Sequence, residues 1–138
     1  MPVPYKCVMK SVILLSHGSQ SQASQSEVAE LARKIAREGS FAYVQYAYLG
    51  SAEPLFANAV QQLVQRGAVE IVVLLHFLNS GNHVIEDVPA LIAAAERQHP
   101  AVKFLITQPA GLHPALPALC FDLIQNAQPS SGGSHAQA

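Results

Sequence analysis

Ser11-Val12-Ile13-Leu14-Leu15-Ser16-His17-Gly18-Ser19 is the stretch on which the fold turns. Val12 to Leu15 is apolar at every position and lacks the alternation of a half-exposed strand, so it predicts a strand buried on both faces. Strands of that kind belong to parallel sheets covered by helices above and below. The run stops abruptly at Ser-His-Gly-Ser, which places a polar, glycine-containing loop at the strand's carboxyl end.

Outward from this strand, apolar runs alternate with helical periodicity. Val28, Leu31, Ala32 and Ile35 repeat at i, i+3, i+4 and i+7, predicting a helix from about Ser24, with Ser24 or Ser26 as its N-cap and Gly39 as its stop. Phe41 to Leu49, rich in Tyr and Val, reads as a second strand. Pro54 suits a first helical position; Leu55, Phe56, Ala59, Val60, Leu63 and Val64 give a second helix that ends at Gly67. Val69 to Leu75 is the third strand, and Asn79-Ser80-Gly81-Asn82 marks a turn within the loop from His76 to His83. A third helix is expected after Glu86, with Pro89 in its first turn. Val102 to Ile106 reads as a fourth strand. Leu116, Leu119, Cys120, Leu123 and Ile124 mark a last helix, and from residue 128 the composition predicts a disordered tail. One domain over residues 1–127 accommodates all of this.

Four strands alternating with four helices predict an α/β fold: a four-stranded parallel sheet in the flavodoxin-like order 2-1-3-4, with helices on both faces and right-handed crossovers. In that order the topological switch point falls between strands one and three, and ligands bind outside their carboxyl ends. Two loops are singled out, Ser16 to Ser19 and Asn79 to His83, and each contains a histidine. Gly18 and Gly81 beside them would let the backbone approach a ligand. Neutral imidazole is a common ligand for zinc, cobalt, nickel, copper and iron. Two imidazoles do not close a tetrahedral structural site, so His17 and His83 predict an open one that water, a partner chain or a substrate completes.

Composition narrows the function further. The chain has 138 residues, half of them hydrophobic, and only 12% are charged, against about 25% in an average soluble domain. Eight basic and nine acidic side chains leave a formal charge of −1, which argues against an electrostatic nucleic-acid binder and against a disordered chain. The stretch MPVPYKCVMK has no apolar core of a secretory signal, and no apolar run nears the ~20 residues that span a bilayer. The expectation is therefore a soluble cytoplasmic protein with Cys7 and Cys120 as separate thiols, a disulfide between them being the alternative. So little charge also hints at a covered face, an oligomer or a large apolar ligand.

Leu14-Leu15-Ser16-His17-Gly18-Ser19 and Phe77-Leu78-Asn79-Ser80-Gly81-Asn82-His83-Val84-Ile85-Glu86-Asp87-Val88-Pro89 resemble the HGS and FLxxGxHxxxDIP motifs of the small CbiX-type, class II sirohydrochlorin cobaltochelatases. Ala52-Glu53-Pro54 and the stretch from Pro109 to Pro114 look like weaker landmarks of the same family, and the resemblance covers roughly residues 10 to 125. It implies ATP-independent insertion of a divalent metal into a sirohydrochlorin-type tetrapyrrole. The metal is a substrate, Co²⁺ in the first place and Ni²⁺ or Fe²⁺ as alternatives, and no nucleotide is needed. Residues matching His17 and His83 bind the ion, and Ser19, Gly81 and His76 fall among the groups that would line the macrocycle. The short form resembles half of a two-lobed chelatase, which implies a homodimer with the tetrapyrrole between subunits, and neither a nucleic-acid nor a membrane partner.

Insertion releases two protons, so the site needs acceptors as well as ligands. Glu86 is a candidate relay or imidazole-orienting carboxylate, although a carboxylate at a helix start is also favoured by the helix dipole. Asp87 reads as a cap of the third helix. The sequence departs from the family pattern where Gly50 follows Tyr48-Leu49 in place of a Glu, where Gln20 follows HGS in place of a basic residue, and where Leu75-His76-Phe77-Leu78 replaces Pro-x-Phe-Leu. His76 thereby becomes a candidate third ligand or proton acceptor. None of the lysines and arginines falls in the two histidine loops. A non-catalytic metal- or tetrapyrrole-binding relative is the rival reading. A hydrolase or phosphoryl-transfer reading would need Ser19 as nucleophile, without a G-x-S-x-G elbow or a P-loop around it.

Overall fold

A computed structural model describes residues 9–81 and 86–130. The expected order holds: four parallel strands run β2-β1-β3-β4, comprising β1 (Ser11–Ser16), β2 (Tyr43–Tyr48), β3 (Glu70–Leu75) and β4 (Lys103–Ile106). All six residues of β1 are buried, as expected for a central strand with no polar alternation. Its register is continuous on both sides, with Leu15 opposite Ala47 of β2 and Leu75 of β3.

The two faces of the sheet are covered by different helices. Ile13, Leu15, Ile71, Val73, Leu75 and Phe77 pack with Phe56, Ala59, Val60 and Leu63 of α2 (Phe56–Gln65) and with Val88, Ile92 and Ala95 of α3 (Val88–Gln98). On the other face Leu14 and Tyr48 pack with Val28 and Ala32 of α1 (Gln22–Glu38). Helix α4 (Leu116–Gln125) belongs to neither layer: it contributes no buried residue.

Element limits moved where propensity gave no apolar marker. Helix α1 starts at Gln22, capped by Ser21, whose hydroxyl accepts from the Ser24 amide, so the cap precedes the expected Ser24 or Ser26. The first turn is polar throughout, and apolar periodicity therefore enters one turn late. Gly39 ends the helix as expected. Helix α2 begins at Phe56 rather than Pro54, because the Pro54 carbonyl is taken by the Tyr48 amide at 2.9 Å and so belongs to the sheet side of the junction. Cys120 is a free, exposed thiol; Cys7 and residues 131–138 of the expected tail lie outside the described residues.

Candidate functional site

Strand register brings the first histidine loop to the end of β3. The β1–β3 ladder runs one residue past its last named pair, since the His76 amide donates to the Leu15 carbonyl at 2.9 Å. Ser16 therefore stands beside His76, and His17 beside Phe77. Ser16 Oγ and His76 Nδ1 lie 2.7 Å apart. The His17 ring meets the Phe77 ring edge-on, with centroids 4.5 Å apart and planes at 74°. Side chains alternate across a sheet, so the Ser16–His76 pair faces the α1 layer and the His17–Phe77 pair the α2–α3 layer. Phe77 is buried in the core while His17 is exposed. His17 thus rests on a rigid apolar floor while remaining exposed to solvent.

The loop after β1 is clamped by the end of β2. The Leu49 amide donates to the Ser16 carbonyl at 2.9 Å and the Gly50 amide to the His17 carbonyl at 3.1 Å. Gly18 has φ +106°, and a Cβ built there would lie 1.7 Å from the Gly50 carbonyl oxygen. Only glycine fits both that torsion and that approach. At Gly81 the Cβ position is open, so space sets no such requirement there. Ser19 holds the entry to α1: its hydroxyl accepts from the Ser21 amide at 3.0 Å and its carbonyl from Gln25 Nε2 at 2.9 Å. Position 50, where the family pattern carries a carboxylate, is in direct contact with the His17 backbone.

Glu86 is exposed and sits in the turn leading into α3. Asp87 occupies the N-cap position, yet its side chain makes no capping hydrogen bond. His83 lies outside the described residues. Among the described residues no group of three or more His, Cys, Asp and Glu side chains is gathered as a metal cage. His113 and His99 serve helix ends: His113 Nδ1 accepts from the Ala115 amide at 2.9 Å just before α4, and His99 is the C-cap of α3. A cleft of about 300 Å³ opens between Leu49 at the end of β2 and Asp87, Ala90 and Leu91 of α3. A larger cavity of about 530 Å³ lies against β2 and α2, lined by Gln45, Glu53, Asn58 and Gln61. The carboxyl-end position, not size, ties the smaller cleft to the histidine loops.

Two polar groups near the site are perturbed by burial. Although the His76 side chain keeps an exposed edge, desolvation against the sheet end holds its imidazole below its ordinary value. A folded-state value lowered in this way means that the unfolded chain takes up its proton first as pH falls. Stability should therefore drop between about pH 6.5, the reference value for histidine, and the lower folded value, then level off for this group. Thermal melts from pH 7.5 to 5 test this: His76→Gln should flatten the acid-side fall, and an unchanged slope would exclude His76 as its source.

Tyr48 is 2% exposed, and its hydroxyl has no hydrogen-bond partner among the described residues. Burial raises its phenol above the usual value, with a smaller contribution from Tyr46. An unsatisfied buried polar group costs about 1–3 kcal/mol. Tyr48→Phe should accordingly raise the urea midpoint, with a gain of about 1 kcal/mol; a loss of stability would show that the hydroxyl is satisfied.

Sequence reasoning missed Phe77 as the floor of His17, and it noted Gly50 only as a lost carboxylate, not as the contact that closes on Gly18. Both stood in quoted strings, but their roles come from register and loop contact between distant segments, which no local pattern carries.

The CbiX family model matches residues 11–127 of the chain. Among curated proteins, the chloroplastic sirohydrochlorin ferrochelatase of Arabidopsis thaliana is 32% identical over 83% of this chain and 51% of its own length. The sirohydrochlorin cobaltochelatase of Methanocaldococcus jannaschii is 31% identical over 66% of this chain and 64% of that protein. The chain thus spans between half and two thirds of these relatives. A solved structure of a putative cobalamin biosynthesis CbiX protein from Marinobacter aquaeolei VT8 superposes with TM-score 0.74 at 29% identity, covering 84% of this chain and 94% of that one. The sirohydrochlorin chelatase SirB from Bacillus subtilis subspecies spizizenii, solved with cobalt, shares the fold at TM-score 0.78 and 21% identity, with 86% of this chain matching 50% of that one.

Proposed function

This chain belongs to the CbiX family, and from that membership we propose that it is a metal chelatase, inserting a divalent ion into a sirohydrochlorin-type tetrapyrrole without ATP. The observation that carries the reading is the placement of His17. It projects from the carboxyl end of the central strand, at the switch point, against the Phe77 floor. A solvent-exposed imidazole held on a rigid apolar surface can present an ion to a flat ligand and then release it.

In the proposed reaction neutral His17 and His83 hold the ion as substrate. Two pyrrole N–H bonds break as two metal–nitrogen bonds replace them, and two protons leave. Once free of the ion, the imidazoles are the nearest bases, with His76 and Glu86 as further acceptors at the mouth; Ser19 and Gly81 border the macrocycle. Ser16 keeps the His76 ring in place through Nδ1, on the α1 side of the strand end. The relatives' names include both a cobalto- and a ferrochelatase, and imidazole accepts cobalt, nickel and iron alike. Cobalt is our first assignment.

A cleft of about 300 Å³ is at the small end for any ligand site and forms only one wall for a macrocycle. A second copy of the chain supplies the other wall in this reading, consistent with a match to half of a longer chain of the same fold. The cytoplasm is the proposed compartment, and among the described residues no helix is long and apolar enough to cross a membrane.

The test is anaerobic insertion followed by absorbance, with purified protein, sirohydrochlorin and Co²⁺, Ni²⁺ or Fe²⁺ in turn. The expected result is a rate at least tenfold above the protein-free blank with Co²⁺. Blank rates with all three ions, together with tight ion binding, would favour the non-catalytic relative instead.

A further inference from the structure

Strand β2 is an edge of the sheet, and its outer side is only partly taken up. The N–H and C=O of one strand residue point to the same edge, and successive residues alternate between edges. The Leu49 amide donates inward to Ser16 of β1 and the Tyr48 amide outward to Pro54, so Val44 and Tyr46 also turn their main chain outward. Among the described residues, the Val44 amide and carbonyl and the Tyr46 amide make no hydrogen bond on that side. The Tyr46 carbonyl accepts from Gln45 Nε2 at 2.9 Å. The row outside β2 is already filled at one end, where Leu55 bridges Tyr48 in parallel before α2 begins. Along the rest lies the cavity of about 530 Å³, walled by Gln45, Glu53 and the Asn58, Gln61 and Gln65 side chains of α2.

The chemistry of this trough selects its occupant. A carboxamide both donates and accepts, as a peptide bond does. Glu53 is the one charged group in the lining, and it adjoins Pro54 at the Tyr48 end of the strand. At the other end the Arg66 guanidinium lies over the Tyr43 ring, 5.2 Å from its centroid. The trough is therefore negative at the carboxyl end of β2 and positive at its amino end. We propose that this edge binds an extended peptide segment of a partner protein, added to the sheet antiparallel to β2, with a basic residue near Glu53 and an acidic residue near Arg66. Main-chain bonds to Val44 and Tyr46 supply the affinity, and alternate side chains set against the carboxamides supply the selectivity. The charges fix the direction, because the same sequence laid parallel would put its base by Arg66 and its acid by Glu53. At about 3.3 Å per residue, a peptide of five to seven residues fills the row. Its upper end lies two residues from Gly50, whose amide holds the His17 carbonyl, so a partner tethered there stands beside the histidine loop. None of this rests on the chelatase reading.

Amide hydrogen exchange of the full chain, read residue by residue by NMR, tests the site with the peptide acetyl-Lys-Val-Gln-Val-Thr-Val-Glu. Millimolar peptide should slow exchange at Val44 and Tyr46 at least tenfold. Gln45 and Ala47, whose amides point to β1, should not change. Side chains directly opposite in an antiparallel pair share a face, so the peptide's valines are the residues that pair with Val44 and Tyr46. The same peptide N-methylated at its valines should give no protection. Val44→Pro removes one outward donor from an edge strand, where proline is tolerated, and should weaken binding at least fivefold. Glu53→Lys, at an exposed position, should do the same and stands alone if Val44→Pro does not fold. No protection at Val44 and Tyr46, equal protection by the methylated peptide, or unchanged affinity in Glu53→Lys overturns the site. So does protection of both amides without peptide that grows with protein concentration, since a second copy's β2 then fills the row.

Discussion

His17→Ala combined with His83→Ala is expected to lower cobalt insertion at least 100-fold and to abolish tight Co²⁺ binding, while the melting temperature changes little. His17 is exposed and its ring meets the edge of Phe77, so its removal leaves the core intact. The loss should therefore be chemical rather than structural. Removing a metal ligand takes away the ion's position, and correct placement alone is worth several kcal/mol of barrier in oriented reactions. His17→Ala alone should fall between wild type and the double variant. Isothermal titration with Co²⁺ beside the insertion assay separates the two effects. Full activity in the double variant would leave the family assignment standing and overturn the site.

Gly18→Ala is expected to be the most damaging single substitution at the mouth, costing about 2–4 kcal/mol of stability. Two costs combine. A side chain at φ +106° is strained by about 1–3 kcal/mol. The new Cβ would also fall within bonding distance of the Gly50 carbonyl oxygen, so the end of β2 must move. That motion breaks the Gly50–His17 and Leu49–Ser16 hydrogen bonds and frees the loop that aims His17. Urea unfolding gives the stability loss, and insertion should fall by more than the loss of folded protein accounts for. Gly81→Ala is the control for stability alone, because its Cβ meets nothing within 4 Å among the described residues. Equal losses at both positions would show that the clamp on Gly18 is not what positions His17.

The sheet order was legible because it rests on the coarsest signals: four apolar runs of strand length, each separated by a helical period. Val12 to Leu15 needed no partner to be read as a central strand, and the switch point followed from topology before any motif was considered. The family motifs then named the two histidines. The boundaries of α1 and α2 were less legible, since a polar first turn and a proline ahead of Phe56 carry no periodicity. What sequence could not carry was contact between distant segments. Phe77 becomes the floor of His17 only because β1 and β3 pair in one particular register, and Gly50 reaches Gly18 only because two loop ends meet. The place of α4 outside both layers was likewise hidden: its leucines mark a helix, but an apolar stripe does not say against which surface it lies.

Phe77 joins three parts of the chain that the sequence keeps far apart. Its ring supports His17 from β1, its backbone begins the loop toward His83, and its carbonyl holds the Gly111 amide of the connector to α4. The Gly111 amide hydrogen is therefore a built-in reporter of events at the mouth. If the proposed reaction holds, an ion arriving at His17 should bear on the Phe77 ring, and a shift of that residue should be read one hydrogen bond away as a change in solvent exchange at a single glycine, some thirty residues further along the chain.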